Sequence, residues 1–354
     1  MNNTYKYIPI ILGIILVTCF IIGTIYISLY LEPHRESCHN SSAKKIIEEY
    51  FNNHKGSVVI PSKDFDNMKG MIGEISLLNA IANHAKTLAN HVVISGYQVG
   101  ACVLADSGNV YLGANCEFKN TLPNTIHGEQ CAIHNAAVHG EKYLKKIAIN
   151  ASPCGQCRQF MIELGNPKEF FVIFCDTDGR ISEFTLEKLL PNNFGPENLD
   201  LSGRLLSSDP FPLSPPENMD NITKAAYDMA VSSYDPYTNR PSGVALGFND
   251  VIIVGKTLEN AAYNPSSSAA RNAFSLASIL GYDLSKITDM VMVEATCCKG
   301  DQRPISRQKE TENLLSSITD TVNLRYVPVD INLSSGEQRN KSFTITPIGN
   351  LNTI

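Results

Sequence analysis

The longest apolar run comes first. No charged residue lies between Lys6 and Glu32, and Ile8–Leu31 fills most of that gap. As a helix the run is about 36 Å long, enough to cross a hydrocarbon core of about 30 Å. Tyr5, Tyr7 and Tyr30 stand near its ends, where aromatic rings favour the interface. A cleaved leader would have a shorter apolar region and a small-x-small site, whereas this run passes into Ser-Leu-Tyr-Leu-Glu-Pro. The pattern predicts an uncleaved single-pass anchor over 1–31. Residues 32–92 are more polar, and Met71, Ile75, Leu77, Leu78 and Ile81 recur at helical spacing, which predicts a small helical segment.

Beyond it the period changes. Val99–Leu104 and Asn109–Leu112 flank Ala-Asp-Ser-Gly and read as a hairpin. His127–Val138 reads as a helix, Lys145–Ala151 as a strand, Cys154–Leu164 as a helix, Phe170–Cys175 as a strand and Thr185–Leu190 as a short helix. Strands alternating with helices predict an α/β layer fold. Six of the eighteen prolines fall in 191–216, a linker composition. The order then restarts, with a hairpin from Gly243–Phe248 and Val251–Gly255, a helix over Ala269–Leu280 and a strand over Ile287–Ala295. Leu112-Gly-Ala-Asn-Cys-Glu117 falls on Val254-Gly-Lys-Thr-Leu-Glu259 at a constant offset of 142. The expected organisation is therefore anchor 1–31, helical segment 32–92, a first α/β copy at 93–191, a Pro-rich linker at 192–220 and a diverged second copy at 221–354.

Composition narrows the function. The chain has 354 residues, 29 Lys+Arg and 35 Asp+Glu, for a net charge of −6. That acid excess argues against a general nucleic-acid binder, which needs a basic surface to displace counterions. A mean hydropathy of −0.08 excludes a polytopic membrane protein but not a single span. The ten cysteines are spread irregularly and form no dense disulfide framework. Most sit in apolar runs and read as small core residues.

Cys154 and Cys157 are different. Pro153-Cys154-Gly-Gln-Cys157 follows His127-Gly-Glu129, and together they match the H-x-E…P-C-x-x-C signature of zinc deaminases. Two thiols at a helix N-terminus have lowered pKa values and bind metal as thiolates. One imidazole makes a third ligand. Three protein ligands leave the fourth zinc position open for water, the mark of a catalytic site. Glu129, two residues from His127, is placed to move protons without being a ligand. A structural zinc would need a fourth ligand, for which Cys131 and His134 are the candidates on the helical face of His127. Asn115 and Glu117 share one side of a strand end. They read either as a turn residue and a solvated carboxylate, or as hydrogen-bonding partners of a sugar.

With these motifs the chain resembles the cytidine deaminases of the two-domain, homodimeric type with a His-Cys-Cys zinc site. The resemblance covers about 66–330. It is carried further by Asn193-Phe194-Gly-Pro196, Pro236-Tyr-Thr-Asn-Arg-Pro-Ser-Gly-Val-Ala245 and Glu259-Asn-Ala-Ala-Tyr-Asn-Pro265. It implies a three-layer α/β/α domain, duplicated, and one Zn2+ per chain held by His127, Cys154 and Cys157. It implies that Glu129 shuttles protons, that Asn115 and Glu117 bind the ribose 3′-hydroxyl, and that Tyr97 and Phe194 pack on the pyrimidine. The activity implied is hydrolytic deamination of cytidine and 2′-deoxycytidine to uridine and 2′-deoxyuridine, a pyrimidine-salvage step. Gly128 stands where the family usually has Ala, Gly96 where it has Asn and Val93 where it has Pro. The anchor is a larger departure.

The second copy lacks the chemistry. Ser268 or Ala269 falls at the His127 position, and Ala270 or Arg271 at the Glu129 position. Cys297 and Cys298 are adjacent, not spaced. It is expected to be a structural partner whose Ala262–Tyr263 loop closes the pocket of the other chain in a homodimer. Two other readings would leave marks. A polynucleotide cytosine deaminase needs a basic, aromatic groove, but residues 32–354 carry a net −7 and there is no Trp. A catalytically silent zinc-binding membrane module would not require all four catalytic positions to be intact. Arg35, Lys44 and Lys45 outnumber Lys6 across the apolar run. The positive-inside rule therefore places the body in the cytoplasm, with reduced thiols and a nucleoside as partner.

Overall fold

The structure is a computed structural model. It describes residues 37–332 apart from 120–121, 177–178, 202–203 and 297–305. The anchor expected over 1–31 lies outside the described residues, as do Cys19, Cys297 and Cys298. Among the described residues no helix is long and apolar enough to cross a membrane.

Three helices open the body: α1 (Ser41–Asn53), α2 (Ser62–Ile72) and α3 (Glu74–Ala85). A short strand, β1 (Val59–Ile60), lies between the first two. The hairpin β2 (Gly100–Ala105) and β3 (Val110–Ala114) follows, then α4 (Gly128–Val138), β4 (Leu144–Ile149), α5 (Gly155–Ile162), β5 (Phe171–Cys175), β6 (Ile181–Thr185) and α6 (Leu186–Leu189). The sheet runs β1-β3-β2-β4-β5-β6. Its β4–β5 pair is parallel, as expected where a helix crosses over between strands.

Strand period explains the layers. Cys102, Leu104, Leu112, Ala148 and Ile173 face one side, where Leu77, Leu78 and Ile81 of α3 pack. Ala101, Val103, Tyr111, Ile147, Val172 and Phe174 face the other, where α4 and α5 supply Ala132, Ile133, Phe160 and Met161. Both faces are buried, so these strands read as continuous apolar runs.

The second copy repeats this order with α7 (Asn221–Val231), β7 (Ser242–Phe248), β8 (Val251–Lys256), α8 (Ala269–Ile279), β9 (Asp289–Ala295), α9 (Gln308–Ser316) and β10 (Arg325–Val329). Its sheet runs β10-β9-β7-β8, again with one parallel pair, β9–β10. Close approaches fix the register between the copies. A Cβ on Gly113 would lie 2.1 Å from Ala132 N and 2.6 Å from Gly128 O, and one on Gly255 would lie 2.4 Å from Ala273 N and 2.3 Å from Ala269 O. Ala269 thus corresponds to Gly128, so Ser268 takes the place of His127 and Ala270 that of Glu129. Likewise Gly100 lies against Ala82 and Ala85 of α3 as Gly243 lies against Ala226 and Ala230 of α7. Helix α3, placed by sequence in the helical segment 32–92, is therefore the first helix of the catalytic copy. The boundary at residue 93 cuts through its layer.

The copies share a core. Helix α4 packs on α8 and β8, and the Phe118 and Phe274 rings meet edge-on with centroids 5.8 Å apart. Glu163 caps α5 and accepts hydrogen bonds from the hydroxyls of Tyr234 and Tyr237 and from the Ala261 N–H at 3.0 Å. One departure from the sequence reading concerns thiols: Cys38 and Cys175 form a disulfide. They pack with the core, as expected of most cysteines, but as a disulfide rather than as thiols.

Candidate active site

Helix α4 begins at an extended residue, His127, which caps it. Helix α5 begins in the same way at Cys154. The two helix starts meet at the end of the sheet, beside the β3 terminus. The Nδ1 of His127 lies 3.5 Å from the Cys154 Sγ. The ligand atoms of His127, Cys154 and Cys157 all lie within 4.8 Å of one another. A tetrahedral zinc with ordinary bond lengths sets a nitrogen and a sulfur ligand about 3.5 Å apart. The donor set and its spacing fit Zn2+.

The negative charge that would receive a cation is concentrated on Cys154. The neighbouring Cys157 side chain and then His127 draw the Cys154 thiol down to about 3, toward the thiolate that binds metal. Its bond to Cys154 raises the His127 pKa, and, against the expectation of two lowered thiols, Cys157 is raised well above its ordinary value, first by the hydrogen bond it shares with Cys154 and then by burial. Glu129 is buried at 3% exposure, and burial raises its carboxyl. It is therefore poised to hold a proton. Cys131 and His134, the candidates for a fourth ligand, lie elsewhere. Both are fully buried, and the Nε2 of His134 accepts the Lys256 N–H at 3.3 Å. Among the described residues the group has three ligands.

Asn115 and Glu117 sit at the end of β3 and are buried. Asn115 accepts from Val99 N at 2.8 Å and donates to Tyr97 O at 2.8 Å. Glu117 accepts from the Ile94 N–H at 2.7 Å, the Ser95 N–H at 2.9 Å and the Ser95 hydroxyl. Burial raises the Glu117 carboxyl, but these donors outweigh it and leave it below the usual range. Both residues thus clamp loop 94–99, which carries Tyr97, and Glu117 is not a solvated carboxylate. The Tyr97 ring is 63% exposed. Phe194, 44% exposed, is tied to α5 through its carbonyl, which accepts the Gln159 Nε2 at 2.6 Å. The second copy keeps the clamp without the chemistry. Glu259 accepts from the Tyr237 and Thr238 N–H groups and the Thr238 hydroxyl.

Sequence reasoning did not single out Gln130. Its Oε1 accepts the His127 N–H at 3.1 Å, and its Nε2 donates to Pro265 O at 2.8 Å. Two residues past Cys157, Gln159 exchanges hydrogen bonds with Asn260. The 259–266 loop of the second copy is therefore fastened to both ligand-bearing helices of its own chain. The only sequence signal was its motif, Glu259-Asn-Ala-Ala-Tyr-Asn-Pro265.

Profiles for the "Cytidine and deoxycytidylate deaminase zinc-binding region" match residues 76–173 and 186–307. A cytidine deaminase of Photorhabdus laumondii is 39% identical over 64% of this chain and 74% of its own length. One of Haemophilus influenzae is 35% identical over 70% and 82%. One of Photobacterium profundum is 39% identical over 66% and 77%. Among solved structures, a cytidine deaminase from Burkholderia pseudomallei matches 33% of this chain and 96% of its own at 30% identity, with a TM-score of 0.31. The chain belongs to the cytidine deaminase family.

Proposed function

We propose that His127, Cys154 and Cys157 hold one catalytic zinc, and that Glu129 is the proton shuttle in the hydrolytic deamination of cytidine and 2′-deoxycytidine. The observation that carries this is three ligand atoms within 4.8 Å beside a buried carboxylate with a raised pKa. Bound there, zinc supplies an activated water at neutral pH. Glu129 carries a proton from the attacking water to ring N3 and a second to the exocyclic nitrogen, which leaves as ammonia. The products are uridine and 2′-deoxyuridine.

The clamp supports a nucleoside rather than a free base. A carboxylate offers about four lone-pair sites. Loop 94–95 takes three of those on Glu117. One remains for the ribose 3′-hydroxyl, with Asn115 beside it. Tyr97 and Phe194 supply exposed rings for the pyrimidine. Tyr263, 58% exposed and held at φ 58°, occupies a backbone region rare for an aromatic residue. Its loop is fastened to its own chain at Asn260 and Pro265 but leaves Tyr263 outward, where it can cover the pocket of a second chain in a homodimer. The apolar run over 1–31 serves as a membrane anchor.

The test uses the purified body, 32–354, with cytidine, deoxycytidine, cytosine, CMP and single-stranded DNA and RNA, following ring absorbance and ammonia. Deamination of both nucleosides, with none of single-stranded DNA or RNA, is expected. Zinc-loaded protein that releases ammonia from no cytosine nucleoside would overturn the reading.

A further inference from the structure

The Cys38–Cys175 disulfide takes no part in deamination. It joins the stretch directly behind the apolar run to the end of β5, 137 positions later. Its surroundings are built around it. Cys38 N donates to Gly179 O at 3.1 Å, Asn79 Nδ2 donates to Cys38 O at 3.1 Å, and Ser37 bridges Arg180. Such bonds form and persist in oxidising compartments and are rare where thiol buffers keep cysteines reduced.

The other described thiols are consistent with such surroundings. Cys102, Cys116 and Cys131 are buried, and Cys154 and Cys157 belong to the metal group. Among the described residues no thiol outside that group is exposed. The sequence also supplies a means of crossing a membrane, Ile8–Leu31, and a set of glycan acceptors. Asn-x-Ser/Thr occurs behind the run at Asn40, Asn150, Asn221, Asn332 and Asn340. Asn40 caps α1 and donates to Ser76, and Asn150 accepts from the Gly100 N–H. Asn340 lies outside the described residues. Asn221 and Asn332 are exposed. The Oδ1 of Asn332 accepts from Ser214, which leaves its Nδ2 free of that bond.

We propose that the body stands on the oxidising, non-cytoplasmic side of the membrane, closed by Cys38–Cys175, and carries N-linked glycans on Asn221 and Asn332. This reverses the orientation that the count of basic residues favours. That count leans on Lys44 and Lys45, which belong to α1 of a folded body. The rule holds for short loops, and long domains translocate largely regardless of charge. What remains is Arg35 against Lys6 and the amino terminus.

The test expresses the full chain in a cultured animal cell line. Cells are acid-quenched, thiols are alkylated before and after reduction, and the chain is treated with an N-glycosidase. Cys38 and Cys175 should react only after reduction. Glycosidase should increase mobility, with Asn221→Gln and Asn332→Gln each removing part of the shift. Alkylation of Cys38 and Cys175 before reduction would overturn the proposal. So would a wild type without a glycosidase shift, or a shift that neither variant changes. None of these readouts depends on deamination.

Discussion

The side chain of Gln130 joins the catalytic copy to the carbonyl of Pro265 in the second copy, 2.8 Å away, while holding the His127 N–H from its other end. The backbone of a metal ligand is thus positioned by a domain that has no metal chemistry of its own. Glu163, capping the helix that starts at Cys154, does the same for the other ligand helix through Tyr234, Tyr237 and Ala261.

Gln130→Ala removes this link and the bond to the His127 N–H while leaving all three ligand side chains in place. Partners of metal-ligating residues typically contribute about 10–100-fold in metal affinity or activity. We expect a loss of that size, with near-stoichiometric zinc at saturating metal. Ending the body at Asn221 keeps every ligand, Glu129, Asn115, Glu117 and Phe194, yet removes Pro265, Tyr234 and Tyr237. That fragment should be inactive. A fully active 32–221 monomer would show that the second copy is dispensable.

Metal content should be one zinc per chain, because Ser268 and Ala270 occupy the places of His127 and Glu129. Cys154→Ser should lose zinc and activity together. Elemental analysis of the purified body checks both, and two zinc ions per chain would refute the assignment.

Glu129→Gln keeps size and hydrogen bonding but cannot carry the proton. General acid–base steps contribute typically about 10²–10⁴-fold, and zinc content should be unchanged. Single-turnover kinetics on cytidine is the measurement, and near wild-type turnover would remove Glu129 from the role of shuttle.

The sequence showed some of this and hid the rest for a physical reason. His127, Glu129, Cys154 and Cys157 were legible because their spacings are local and belong to one chemistry. Most of the long strands and helices were legible from apolar runs and helical spacing, whereas α7 and α9 of the second copy were not picked out. β1 was missed because it has two residues, and β6 and β10 because Ile181-Ser-Glu-Phe-Thr185 and Arg325-Tyr-Val-Pro-Val329 mix polar residues or a proline into their runs and take their pairing from neighbours. Gln130–Pro265, Glu163–Tyr234 and Cys38–Cys175 lie 135, 71 and 137 positions apart. No periodicity links such pairs. The offset of 142 also left one residue of slack in the second copy, which only the approach of Gly255 to α8 removed.

Free cytosine should be a poor substrate. If Glu117 and Asn115 receive the sugar, a ligand without it leaves a buried carboxylate one partner short, a penalty binding sites use to reject analogues. The kcat/KM for cytosine should fall well below that for cytidine, and equal values would sink the ribose-binding role.

His134 makes stability at the copy boundary depend on pH. It is fully buried on α4, and its Nε2 accepts the Lys256 N–H. Burial first, then the charges of Lys256 and His139, push its pKa from 6.5 down to about 3. Between those values the unfolded chain binds a proton there and the folded chain does not. Stability therefore rises with pH across that window and is lost progressively as pH falls from 6.5 toward 3. One proton difference corresponds to a slope of up to about 1.4 kcal/mol per pH unit. His134→Gln keeps an acceptor for Lys256 N but does not titrate. Urea melts of both proteins from pH 5 to 8 should run parallel above pH 7. Below pH 6 they should diverge, with the wild type losing stability faster by up to that slope. Parallel curves over the whole range would show that His134 does not couple folding of the two copies to protonation.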